Sequence, residues 1–120
     1  MKKCVLLLED EMRSRQSMAA LLRSAGHEVI VARNALEAQV LCTDCEPDLA
    51  VVDVQLPGLR GDEWALHLKE SLPQTRVIFV SGLPGLAGLD RYGPDVVFLQ
   101  KPISPDEFLE IVNQDSIPMA

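Results

Sequence analysis

The sequence predicts an α/β fold, a doubly wound five-stranded parallel sheet with flanking helices. Short apolar runs of β type alternate with segments of helical period, and the alternation repeats five times. Three of the runs, VLLL at 5–8, LAVV at 49–52 and VIFV at 77–80, are apolar throughout, as expected of parallel strands covered on both faces. The length of 120 residues suits one domain that buries roughly two thirds of its unfolded surface.

The first strand is placed at Lys3 to Leu8, ending at Glu9, Asp10 and Glu11. Met18, Leu21, Leu22 and Ala25 then make a helix face, which Gly26 terminates. A second strand, Glu28 to Val31, precedes a helix that opens at Asn34, with Glu37 three residues on in a capping-box-like pair, and ends before Pro47. Ala38, Leu41, Cys42 and Cys45 follow at i, i+3, i+4 and i+7, which predicts the buried face of that helix. The third strand, Leu49 to Val52, delivers Asp53 to a turn containing Pro57 and Gly58. The third helix turns Trp64, Ala65, Leu68 and Leu72 inward and stops at Pro73. Arg76 to Val80 is the fourth strand, ending at Ser81.

Between Gly82 and Pro94 lie four glycines and two prolines. Each interior glycine costs a helix about 1 kcal/mol and each proline about 3, so any helix here is expected to be short or irregular, and the segment mobile. The fifth strand, Val96 to Leu99, leads into Lys101 and Pro102. The last helix opens with Ser104 as N-cap, Pro105 as first residue and Glu107 as reciprocal partner, turning Phe108, Leu109, Ile111 and Val112 to the core or its edge. The tail from Gln114 reads as frayed, so the expected organisation is one domain over 1–120 with an ordered core of about 2–114.

Composition narrows the function. A net charge of −7 argues against a phosphate-backbone-binding surface, so no direct nucleic-acid binding is expected of this domain. No apolar run approaches the roughly 20 residues that span a bilayer, and acids cut off the opening apolar stretch too soon for a signal peptide. The expectation is a cytoplasmic protein without membrane insertion. Three cysteines, an odd number, fit a reducing compartment better than a disulfide framework. Cys42 and Cys45 form a C-x-x-C, but no second Cys or His pair accompanies it as a metal site would want.

In a doubly wound sheet, sites form outside the carboxyl ends of the strands. That rule gathers Glu9, Asp10, Glu11, Asp53, Ser81 and Lys101 at one edge. Carboxylates converging in a partly buried crevice repel one another unless a cation joins them, and a hard divalent ion, most plausibly Mg²⁺, resolves the conflict. Taken singly, each residue has an ordinary reading as a helix cap, a turn or a surface charge.

LLLEDE at 6–11, VVDVQLPGLRGDE at 51–63, VSG at 80–82 and LQKP at 99–102 together resemble the receiver domains of two-component response regulators, over nearly the whole chain. The resemblance implies a flavodoxin-like strand order 2-1-3-4-5. It implies Asp53 as phosphoacceptor from a phosphohistidine on a sensor histidine kinase or histidine phosphotransfer protein, with Mg²⁺ or Mn²⁺ as cofactor. Asp10, Asp53 and the backbone carbonyl of Gln55 are the implied metal ligands, with Glu9 acting directly or through water. Lys101 is implied as a second positive contact, Ser81 as the hydroxyl that meets the phosphoryl group, and Phe98 as the switch aromatic. A cis peptide is implied between Lys101 and Pro102. The chain departs from the family in Glu9, where an aspartate is commoner, in Ser81 for threonine, and in Gly82–Pro94, which replaces the fourth helix. The last departure puts the family's mode of homodimerisation in doubt.

The expected function is thus a phosphorylatable signalling switch, not a turnover enzyme, controlling a partner or an output domain, fused or separate. The alternative is a pseudo-receiver that only binds protein, which an intact set of Asp10, Asp53, Ser81 and Lys101 argues against. A phosphatase of the haloacid dehalogenase type wants an acid two positions after the nucleophile, where Gln55 stands.

Overall fold

The computed structural model of the protein describes residues 2–114. Its elements are β1 (Cys4–Leu8), α1 (Met12–Ser24), β2 (Glu28–Ala32), α2 (Ala35–Leu41), β3 (Leu49–Asp53), α3 (Gly61–Ser71), β4 (Arg76–Ser81), a short 3₁₀ turn (Leu89–Tyr92), β5 (Val97–Gln100) and α4 (Pro105–Asn113). The five strands form one parallel sheet in the order β2-β1-β3-β4-β5. The sheet is doubly wound, as the apolar runs required.

Alternation along the strands divides the core. Leu6, Leu8, Ala50, Val52, Val77 and Phe79 face α2, α3 and the 3₁₀ turn, packing with Ala38, Trp64, Leu68 and Tyr92. Val5, Leu7, Val51, Ile78 and Val80 face α1 and α4, packing with Met18, Leu22, Phe108 and Val112. All of β3 and β4 is buried, so the residues at their carboxyl ends are held rigidly.

Local chemistry sets most boundaries. Glu11 caps α1 by accepting from the backbone N–H groups of Arg13 and Ser14, which also holds its carboxyl below the usual range. Gly26, at φ 90°, ends the helix in the left-handed conformation that the sequence predicted. Asn34 caps α2 through Glu37 N, but the Glu37 carboxylate returns to the N–H of Arg33, one residue earlier than a capping box requires. Ser104 accepts from Glu107 N at 3.5 Å, and no return bond from Glu107 occurs among the described residues.

Several expectations need correction. Helix α2 stops at Leu41, which is 37% exposed, so Cys45 is on no helix face. The Thr43 hydroxyl donates to the Gln39 carbonyl, and Thr43 N–H reaches Val40, so short-range bonds draw the chain out of the helix. Ala25 is the exposed C-cap of α1, and Leu72 the half-buried C-cap of α3. The fifth strand begins one residue later than expected, at Val97. Where a fourth of five helices was in question, only the 3₁₀ turn forms, bracketed by Gly88 and Gly93 at φ 73° and 97°. It is anchored by Tyr92, fully buried and edge-on to Phe79, and the Tyr92 hydroxyl donates to the Asp62 carbonyl. The tail beyond Gln114 lies outside the described residues.

Candidate functional site

The carboxyl ends of β1, β3, β4 and β5 bring most of the predicted residues to one place. Glu9 leaves β1 fully buried, its N–H donating to the Ala32 carbonyl of β2. Asp10 follows it, exposed. Asp53 closes β3 at 4% exposure, and its Oδ1 accepts from Gln55 N at 2.9 Å. One carboxylate oxygen from each of Glu9, Asp10 and Asp53 lies within 4.8 Å of the others. Glu11 is not among them, being spent on the α1 cap.

Lys101 sits against this cluster from the loop after β5. Its Nζ donates to Glu9 Oε1 at 2.8 Å and to Asp53 Oδ2 at 3.2 Å. Burial pulls the ammonium downward, but the Glu9 and Asp53 carboxylates outweigh it and hold Lys101 above its ordinary value. Its backbone N–H is tied to the Ser81 carbonyl at 2.8 Å, and the following peptide, to Pro102, is cis. Glu9 is pushed up to about 7, first by burial and then by the Asp53 carboxylate, with Lys101 opposing. Its second oxygen, Oε2, is buried without a hydrogen-bond partner. A buried orphan carboxylate oxygen beside two more carboxylates is what a cation satisfies, so the donor set fits a hard divalent ion.

Ser81 ends β4, buried, with its hydroxyl donating to Gln55 Oε1 at 3.3 Å and accepting from Leu83 N at 3.1 Å. Phe98 pairs with Phe79 across β4 and β5, and Gln100 with Ser81. Register partners in a parallel pair point to the same face, so Ser81 and Phe98 share the face that carries the 3₁₀ turn. Phe98 is half-buried there.

Three contributions were not read from the sequence. Arg15, one turn into α1, donates to the carbonyls of Glu9 and Asp10 and fixes the acidic loop. Gln55 was expected to act only through its backbone carbonyl, as a metal ligand, but its side-chain Oε1 accepts from the Ser81 hydroxyl. Gly61 opens α3 so close to Asp53 that an added Cβ would stand 1.9 Å from the Asp53 carbonyl oxygen. The only sequence signal for this contact was a glycine at a helix start.

The family model of the response regulator receiver domain matches residues 5–113. The chain belongs to this family. As a receiver it is 34% identical over 116 residues to the polar-differentiation response regulator DivK of Brucella anthropi, covering 93% of this chain and 94% of that one. Among solved structures, the receiver superposes on a CheY-like receiver domain protein from Methanospirillum hungatei with a TM-score of 0.85, at 25% identity, over 93% and 91% of the two chains. The receiver domain of Francisella response regulator 1452 gives 0.82 at 29% identity, over 92% and 93%. Among the described residues, no helix of the receiver is long and apolar enough to cross a membrane.

Proposed function

We propose that this receiver accepts a phosphoryl group on Asp53 from a phosphohistidine of a sensor histidine kinase or histidine phosphotransfer protein. The observation that carries the reading is the Lys101 ammonium held between Glu9 and Asp53, beside an orphaned Glu9 oxygen. An Asp53 oxygen attacks phosphorus, the new P–O bond replaces the P–N bond, and the imidazole leaves with its electron pair. Burial on β3 and the Gln55 N–H orient the nucleophile. Lys101 meets the charge on the phosphoryl oxygens. Glu9, Asp10, Asp53 and the Gln55 carbonyl would hold Mg²⁺, or Mn²⁺, which when bound supplies further neutralisation of those oxygens.

Phosphorylation also makes the switch. The added charge and acceptor oxygens at Asp53 draw the Ser81 hydroxyl from Gln55 Oε1, and Phe98, on the same face, takes the space vacated. The protein is then a switch that modifies itself, not a turnover enzyme. Acetyl phosphate or beryllofluoride with Mg²⁺ should modify the wild type and leave Asp53→Asn unchanged. Equal responses from the two proteins would overturn the assignment.

A further inference from the structure

Two thiols distant in sequence meet at the end of the sheet opposite the acidic site. Cys4 opens β1, and Cys45 follows the shortened α2. Their sulfurs are 3.6 Å apart across a separation of 41 residues. Both residues are half-buried. Cys4 is held firmly, its N–H donating to Asp48 Oδ2 and its carbonyl accepting from Asp48 N, each at 2.8 Å. Cys45 is not held in this way. Among the described residues, Asp44, Cys45 and Glu46 make no backbone hydrogen bond outside regular elements. A disulfide needs the sulfurs at about 2.05 Å, so the thiol on the loosely tied turn has only about 1.5 Å to travel. Cys42 faces elsewhere, lining a small cleft between α2 and α3 with Trp64 and His67.

We propose that Cys4 and Cys45 are a reversible redox site, a dithiol that hydrogen peroxide oxidises to an intramolecular disulfide. The Cys45 sulfur takes one peroxide oxygen, becoming a sulfenic acid and releasing one water. The Cys4 sulfur then attacks the Cys45 sulfur. The S–S bond forms, the S–O bond breaks, and the departing hydroxide leaves with the Cys4 proton as the second water. The thiols lose two electrons and two protons, and a small thiol reductant returns both by exchange. Cys45 is the sulfur oxidised first because the Cys4 thiol is pushed up to about 12, first by burial and then by its contact with Cys45, and so offers peroxide little thiolate; Cys4 gives up its proton only as it attacks the sulfenic sulfur. Intracellular disulfides, where they occur in mesophiles, are usually transient and redox-sensing. Here the bond would lock the start of β1 to the α2–β3 connection.

The test is to reduce the full chain, treat it with a few equivalents of hydrogen peroxide, and measure intact mass and cross-linked peptides without reduction. The expected product is monomeric, lighter by about 2 Da, joined Cys4 to Cys45, and reset by a phosphine reductant. Its melting temperature should rise by about 10 °C, because closing a long loop restricts the unfolded chain. Cys42→Ser should behave as wild type, whereas Cys4→Ser and Cys45→Ser should lose both effects. Gains of about 16 Da without the cross-link, a Cys42–Cys45 product, or a disulfide-linked dimer in the wild type would each overturn the proposal.

Discussion

Glu9 is the residue whose chemistry is most displaced from the ordinary. A glutamate reaches one methylene further than an aspartate would, and it meets Lys101 with one oxygen while the other has no partner. Burial raises it from 4.5 to about 7, above its value in the unfolded chain. The protonated folded form is therefore favoured. That stability is fully present below about pH 4.5 and is lost as pH rises toward 7, an effect of order 3 kcal/mol in metal-free protein. Urea titrations in a chelator should find Glu9→Gln equal to wild type near pH 4 and more stable than wild type near pH 8. The same proton competes with a cation. Mg²⁺ affinity in wild type should rise by up to about tenfold per pH unit below 7, and Glu9→Gln should flatten that slope. An unchanged slope in the variant would place the metal elsewhere.

Elements decide where the sequence could be read and where it could not. Helices were legible because burial of one face imposes a period of 3.6 on neighbours in sequence, and strands because cover on both faces leaves short runs apolar throughout. The end of α2 was not, because the apolar period continues through Cys45 while the Thr43 hydroxyl and N–H pull the chain out of the helix. Strand-end residues such as Asp53 and Ser81 were legible for the same local reason. The contact of Gly61 with Asp53 was not, since it depends on how α3 leans back on β3. Gly61→Ala should therefore cost about 1–3 kcal/mol in urea unfolding and also impair modification at Asp53, as the helix start is forced from the nucleophile. The glycine-rich segment behaves as two parts. Tyr92 pins its end, so Tyr92→Phe should cost about 1 kcal/mol for the lost bond to Asp62, and Tyr92→Ala about 3–5. Gly85 and Leu86 lie between a bend and a turn, and their amides should exchange hydrogen rapidly. Strong protection throughout Leu83–Tyr92 would sink that expectation of mobility.

At the scale of the whole molecule, the site and the fold are one energetic system. Glu9 and Asp10 come from β1, Asp53 from β3 and Lys101 from beyond β5, so the site exists only when the entire sheet is assembled. Its far ends are tied as well. Arg76, buried at the start of β4, donates to the carbonyls of Asp95 and Ile111, and the Lys3 ammonium closes α4 at Val112 and Gln114. An unfolded chain holds no such cluster of carboxylates, so cation binding must appear as global stability. At Mg²⁺ about 100-fold above its dissociation constant, unfolding free energy should rise by about 2.7 kcal/mol, with the urea midpoint shifted and the slope unchanged. Trp64, the single tryptophan and buried in the core, reports the transition by fluorescence. Asp53→Asn should lose most of the increment and Ser81→Ala should keep it, because Ser81 is tied to Gln55 and Leu83, outside the acidic cluster. A cation that leaves the wild-type midpoint unmoved at saturating concentration would show that the three carboxylates are balanced by Lys101 alone.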